Sequence, residues 1–394
     1  MAGFTYYTPT KVVFGVDTAD RAGELVKEFG GTRVLLHFGG QSAIKSGLID
    51  RIKKSLDAVG IYYVELGGVV PNPHLSKVRE GIELGKAEKI DFLLPVGGGS
   101  VIDSAKAIAY GLAEPDKDVW DLYAHIRKAK ASLPVGAVVT IAAAGSEMSD
   151  SSVITDEKNE NKRGYNDNLC RPKFAIMDPA LTLSLPDYQT MSGCTDIMMH
   201  TMERYFTNGD KMEITDALAE GLLRTMIRQA EILHKDPTNL AARTEVMWAG
   251  SLAHNGLTGC GNSMDDFASH RLEHEIGGMF DVTHGAGLAA IWPSWARYVM
   301  TSCLPRFVRF ATNVMDVTPG KTDEDTALAG IRAMEDFYHR ISMPINFAEL
   351  GISPTDAQLE EMADRCEKAT GGSLGSAKTL FRQDMLEIYR MARG

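Results

Sequence analysis

At Pro186 the texture of the chain changes, and that change limits what it can fold into. Upstream, short apolar runs alternate with helical patterns of roughly ten or more residues. The runs 33–38, 62–66, 92–96 and 134–140 read as strands, and 19–29, 47–59, 75–88 and 101–112 as helices, after two short extended pieces around Pro9. Strands joined by segments long enough to cross over make βαβ units and a mostly parallel sheet. Downstream, strand-like runs stop and amphipathic helical patterns cover 190–207, 212–233, 239–254, 263–277, 285–301, 323–341 and 356–371. The expectation is an α/β domain with a mostly parallel sheet over 1–185 and an all-α domain over 186–394, in keeping with a length of 394 residues. No Gly/Ser-rich linker separates the two, so they are expected to pack with a cleft between them.

The α/β half carries a glycine turn that suits a dinucleotide. In Val96-Gly97-Gly98-Gly99-Ser100 a strand runs into glycines and a helix starts at once, continuing through Asp103 to Lys106. Glycines let the backbone approach a phosphate, and a helix N-terminus presents N–H groups and a partial positive charge. The plainer reading is a tight turn with Ser100 as N-cap and Asp103 completing a capping box. Three consecutive glycines exceed what a cap needs. The first such turn, Gly39-Gly40-Gln41-Ser42, ends the strand before it and is placed to meet an adenosine ribose. A carboxylate there would bind the ribose 2′-hydroxyl and repel a 2′-phosphate. This loop offers none and has Lys45 nearby, so NADP(H) is expected in preference to NAD(H). Asn72, in the chain break Pro71-Asn72-Pro73, joins the candidate cofactor contacts.

The helical half carries a metal pattern. Asp196 and His200 are four apart, as are His270 and His274, and His284 precedes Gly285. Four-residue spacing puts both side chains on one helix face. A His pair at that spacing is more often a solvated face or a hydrogen-bonded core pair. A second pair of the same spacing upstream, in an equally apolar setting, shifts the balance toward a divalent ion. Nitrogen and oxygen donors suit iron, zinc, manganese or cobalt, with a coordination position left open. His125, His234 and His339 read as ordinary surface residues.

Bulk properties exclude some partners. The net charge of −11, with no basic run, argues against nucleic acid or an anionic membrane surface. No apolar stretch reaches a membrane span of about 20 residues, and no signal segment opens the chain. Cys170, Cys194, Cys260, Cys303 and Cys366 are scattered and odd in number, which suits free thiols in a reducing, cytoplasmic setting.

The ordered set Gly-Gly-Gly-Ser-x-x-Asp-x-x-Lys, Gly145-Ser146-Glu147, Asp196-x-x-x-His200-x-x-Glu203, His270-x-x-x-His274 and His284-Gly285 resembles the iron-containing (group III) alcohol dehydrogenase family. The similarity runs over essentially the whole chain and is closest to the butanol dehydrogenase branch, with its NADPH-dependent aldehyde reductases. The resemblance implies metal ligands at Asp196, His200, His270 and His284, with His274 near metal and nicotinamide but not a ligand. It also implies pyrophosphate contacts from Gly97 to Ser100, cofactor contacts at Thr140 and Lys162, an N-terminal dinucleotide-binding domain, a C-terminal helical domain, and a homodimer. Two features depart from relatives: Thr140-Ile-Ala-Ala-Ala-Gly145 lacks hydroxyls common in that loop, and Gln41 replaces a glycine found in some NADPH-using members.

The chemistry expected is hydride exchange between NAD(P)H and a short-to-medium aliphatic aldehyde or primary alcohol, with Fe2+ or Zn2+ as Lewis acid. Asp196 and His270 are then catalytic through the metal, and His274 is a candidate proton relay. Alternatives are an NAD- and zinc-dependent cyclase like dehydroquinate synthase, a glycerol dehydrogenase-like polyol oxidoreductase, a filament-forming module, and a metal-dependent hydrolase. The hydrolase leaves the glycine turns unexplained.

Overall fold

The computed structural model describes residues 3–394. They form two compact units, one of Tyr7–Leu185 and the other of Pro186–Gly394 together with the segment through Tyr6.

In the first unit the chain runs through β1 (Lys11–Phe14), α1 (Ala22–Glu28), β2 (Arg33–Phe38), α2 (Ser42–Lys45), α3 (Leu48–Ala58), β3 (Tyr62–Leu66), α4 (Leu75–Ala87), β4 (Phe92–Gly97), α5 (Gly99–Ala113), α6 (Trp120–Tyr123), β5 (Gly136–Val139), β6 (Ser151–Asp156), β7 (Asn161–Asn166) and β8 (Phe174–Met177). Six strands make one sheet in the order β1-β8-β5-β4-β2-β3, and all of its pairings are parallel. β4 is buried throughout and β2 from Val34 on, as expected of strands covered on both faces. Alternation sends Val34, Leu36, Leu94 and Val96 to the layer built by α1 and α3. Leu35 and Leu93 go to the opposite layer, with α4 and α5.

The strand order fixes where a ligand can bind. From β2 the chain crosses to β3 on one side, and from β4 it crosses to β5 on the other. β2 and β4 are neighbours, with Phe38 opposite Val96, so the crevice past their carboxyl ends is the switch point of the sheet. Both glycine turns open there.

β6–β7, an antiparallel hairpin, and β8 were not expected. β7 reads Asn-Lys-Arg-Gly-Tyr-Asn, with no apolar alternation, and β8 is a four-residue run too short to separate from a loop. The capping box at Ser100 and Asp103 does not form. The helix starts two residues earlier, with Gly98 as its N-cap and no side-chain cap.

His37 is a titratable group locked in this core. It is fully buried, with Nδ1 2.9 Å from the Leu66 carbonyl and Nε2 2.9 Å from Ser104 Oγ. Burial lowers its pKa from 6.5 to about 4. The unfolded chain therefore takes up a proton that the fold does not, so stability is intact above the ordinary value and is lost as pH falls toward about 4. The full effect is about 3 kcal/mol. Denaturant titrations of wild type and His37→Gln should converge by about that amount across the interval; parallel curves would refute the assignment.

The second unit contains α7 (Asp187–Tyr205), α8 (Glu213–Lys235), α9 (Leu240–His254), α10 (Ala268–Phe280), α11 (His284–Val299), α12 (Leu304–Asn313), α13 (Asp323–Arg340), α14 (Phe347–Leu350), α15 (Asp356–Thr370) and α16 (Arg382–Ala392). Its axis is α7, buried at every position from Thr190 to Tyr205 and packed against α8, α9 and α11. A helix buried all round carries its polar residues into the interior, where each needs a partner. Among those residues are Asp196, His200, Glu203 and Arg204.

Candidate metal and cofactor sites

Asp196 from α7, His270 from α10 and His284 from the first turn of α11 bring one donor atom each within 4.8 Å of one another. His270 Nε2 is 3.5 Å from Asp196 Oδ1, and His284 Nε2 is 3.8 Å from the same oxygen. Donors about 2.1 Å from a shared tetrahedral ion stand roughly 3.4 Å apart, so these separations fit a divalent cation. Asp196 Oδ1 and His270 Nε2 are buried and make no hydrogen bond. Two such atoms turned toward each other are costly unless something positive completes them.

His200 lies one turn beyond Asp196. Its Nδ1 is 3.0 Å from the Asp196 carbonyl oxygen and 3.1 Å from Oδ1, and its ring centroid is 4.4 Å from that of His270. It belongs to the cluster but stands outside the tightest triad. His274 is buried one turn past His270, its ring 6.1 Å from that of His284. Electrostatics favour the ligand forms of two residues. Burial would raise the Asp196 pKa, but the imidazoles of His200 and His284 hold it well below the carboxylate range. Burial lowers His200 to about 4, leaving it neutral. Burial also opposes charge on His270, yet Glu203 and Asp196 outweigh it and raise that ring to about 9.

Local sequence explains how the helices come this close. A Cβ on Gly285 would overlap the backbone carbonyl of Ser192, so only glycine lets the start of α11 lie against α7. A Cβ on Gly287 would stand 2.9 Å from Glu273 Cγ, in space that side chain needs. Phe267, at φ 53, turns the chain into α10 and sets its ring 5.5 Å from His270. Asp266 accepts from the N–H of Ala268 and ties the same corner to Ser376 and Ala377.

Two carboxylates that spacing alone did not single out orient the candidate ligands. Glu203 engages both Nδ1 and the backbone N–H of His270, and Glu273 engages Nδ1 of His284. Each fixes the tautomer that turns Nε2 toward Asp196. Glu273→Gln should weaken metal affinity about 10- to 100-fold while the chain stays folded. Competition with a chelator of known affinity measures this, and unchanged affinity would remove Glu273 from that role.

In the α/β unit Gly39 and Gly40 follow β2, and Ser42 begins α2. Gly97 ends β4, and Gly98, Gly99 and Ser100 turn into α5, whose first turn carries no acidic residue. Thr140 follows β5, and its N–H donates to the Gly97 carbonyl at 3.0 Å. These residues share the carboxyl edge of β2, β4 and β5. Asn72, at φ 51, stands before Pro73, whose carbonyl accepts from Thr155 on β6, and Thr155 pairs with Lys162 on β7. Asp103 is engaged within the fold, its carboxylate accepting from Ser146 Oγ at 2.6 Å and from the Val153 N–H at 2.9 Å. Lys106 is fully buried and donates to the carbonyls of Ser146, Ser149 and Ser151. The Asp-x-x-Lys part of the motif thus clamps the loop after β5.

Comparisons with known proteins identify the family. The family model for iron-containing alcohol dehydrogenase matches residues 9–179, and that for the Fe-containing alcohol dehydrogenase family, C-terminal, matches 190–393. The chain is 39% identical to a probable NADH-dependent butanol dehydrogenase of Bacillus subtilis, covering 99% of each. It is 32% identical to the NADPH-dependent aldehyde reductase YqhD of Escherichia coli, covering 100% of each. The crystal structure of NADH-dependent butanol dehydrogenase A from Thermotoga maritima superposes with a TM-score of 0.96 at 37% identity, covering 100% of this chain and 99% of that one. With both family models matched and full-length relatives above 30% identity, the chain belongs to the iron-containing alcohol dehydrogenase family.

Proposed function

We propose that this chain reduces short-to-medium aliphatic aldehydes to primary alcohols, and runs the reverse oxidation, with one divalent ion, Fe2+ or Zn2+, held by Asp196, His200, His270 and His284. The observation that carries the reading is the pair of buried donor atoms that make no hydrogen bond, Asp196 Oδ1 and His270 Nε2. When bound, such an ion supplies Lewis-acid polarisation of the substrate oxygen. Asp196 supplies the negative charge at the centre, Glu203 and Glu273 keep the imidazoles turned to it, and His274 relays a proton toward solvent. NAD(P)H is assigned to the turns Gly39–Ser42 and Gly97–Ser100, with NADPH preferred because no carboxylate stands in the first of them. Names of relatives carry both cofactors, NADH for the Bacillus protein and NADPH for the Escherichia one. The substrate class follows the butanol dehydrogenases among them. A homodimer is the expected assembly, and the five free cysteines suit the cytoplasm.

A cyclase acting on an anionic sugar phosphate is the poorer fit. The arginine beside the cluster, Arg204, is committed within the fold: it donates to the carbonyls of His200 and Ala253, stacks on Phe267 and stands 3.8 Å from the Asp265 carboxylate. Oxidation of NADPH and of NADH, followed against a series of aldehydes with metal analysis on the same preparation, tests the whole reading. Turnover of butanal, faster at low cofactor with NADPH and dependent on a bound metal, is expected. Metal-independent turnover would overturn the site, and a clear NADH preference would overturn the cofactor assignment.

A further inference from the structure

Lys106 is a buried charge that no step of the proposed reaction uses. It lies on α5, fully buried, with its ammonium among oxygens of the loop after β5 and of the first residue of β6. The carbonyls of Ser146, Ser149 and Ser151 stand 2.7, 3.0 and 2.7 Å from Nζ. The hydroxyls of Ser146 and Ser149 stand 3.0 and 3.4 Å away. An ammonium has three protons, and the three carbonyls take them all. None of these five oxygens belongs to a carboxylate. The balancing charge is reached through Ser146, whose Oγ donates to Asp103 at 2.6 Å.

A charge is expensive to bury, and the loop accounts for the expense. Residues 145–149 are buried yet belong to no helix or strand, so their carbonyls have no ladder to join. Arg171 takes the Met148 carbonyl at 2.6 Å, and Lys106 takes the carbonyls on either side. The same loop lies on the second glycine turn. A Cβ on Gly98 would stand 2.9 Å from Ile141 Cβ, and one on Gly99 3.2 Å from Ala144 Cβ.

We infer that Lys106 is a positioning residue for the nicotinamide cofactor. Its ammonium gathers three carbonyls to one point and so fixes residues 141–144 against Gly97, Gly98 and Gly99. The turn then meets the cofactor's phosphates with one wall already in place, and less ordering is left for binding to supply. An apolar side chain of the same length would leave three buried carbonyls bare.

This inference rests on the assignment of NAD(P)H to the glycine turn, and the experiment separates the two. NADPH and NADH are titrated by fluorescence into metal-loaded wild type, Gly98→Ala, Lys106→Met and Lys106→Ala, with kcat and metal content measured for each. Gly98→Ala crowds the turn directly, so unchanged binding in that variant would defeat the assignment itself. Given weaker binding there, Lys106→Met should raise Kd about tenfold or more, with kcat at saturating cofactor within about twofold of wild type and the same metal content. In Lys106→Ala, added ammonium should recover part of the affinity, and tetramethylammonium, which has no N–H, should not. A wild-type Kd in Lys106→Met, or a fall in kcat at unchanged Kd, would overturn the inference. Failure of ammonium to recover any affinity would overturn it too, because bulk rather than donated bonds would then hold the loop. If neither Lys106 variant folds, Ser146→Ala carries the test, since it removes one oxygen and the link to Asp103 but keeps the carbonyl bonds. Its Kd should rise about threefold, and an unchanged Kd would overturn the inference.

Discussion

Replacing Gly285 by alanine is expected to cost the helical unit about 3 kcal/mol and to strip the enzyme of its metal. The added Cβ would overlap the Ser192 carbonyl. That atom belongs to the backbone of α7, which is buried at every position around it and has no direction in which to yield. The start of α11 must therefore withdraw, and His284, the residue before, goes with it. A displacement of an ångström is large against the 3.8 Å between His284 Nε2 and Asp196 Oδ1. Chemical denaturation together with metal analysis after dialysis measures both effects. A Gly285→Ala protein with wild-type stability and a full metal complement would mean that the close approach of α7 and α11 does not position the ligand.

Removing a ligand has the larger effect on turnover. His270→Ala should lose bound metal and lower kcat by about a thousandfold or more, since a Lewis acid at the substrate oxygen contributes several kcal/mol. His274→Ala should keep its metal and lose turnover by a smaller factor. The two lie on one face of α10, and His274 is buried beside His284 without joining the triad. A His274 variant that also lost the metal would erase the distinction drawn between ligand and relay.

How much of this was legible beforehand differs from feature to feature. The parallel sheet and both glycine turns could be read because strands buried on both faces are continuous apolar runs, as β2 and β4 are. The hairpin of β6 and β7 could not, because its residues follow neither periodicity; it is held instead by contacts from Asp103 and Pro73. Asp196 and His200 announce themselves by spacing. Glu273 does not, since its partner His284 lies in another helix and only the glycines at 285 and 287 let the two meet.

The central claim is that Asp196, His270 and His284, with His200 beside them, hold one catalytic cation. Crystals of the metal-loaded enzyme, measured at the absorption edge of the bound metal, test it most directly. One anomalous peak should lie about 2.0–2.3 Å from Asp196 Oδ1 and from Nε2 of His270 and His284. Full occupancy by a metal at any other place in the chain, with these three side chains uncoordinated, would contradict it.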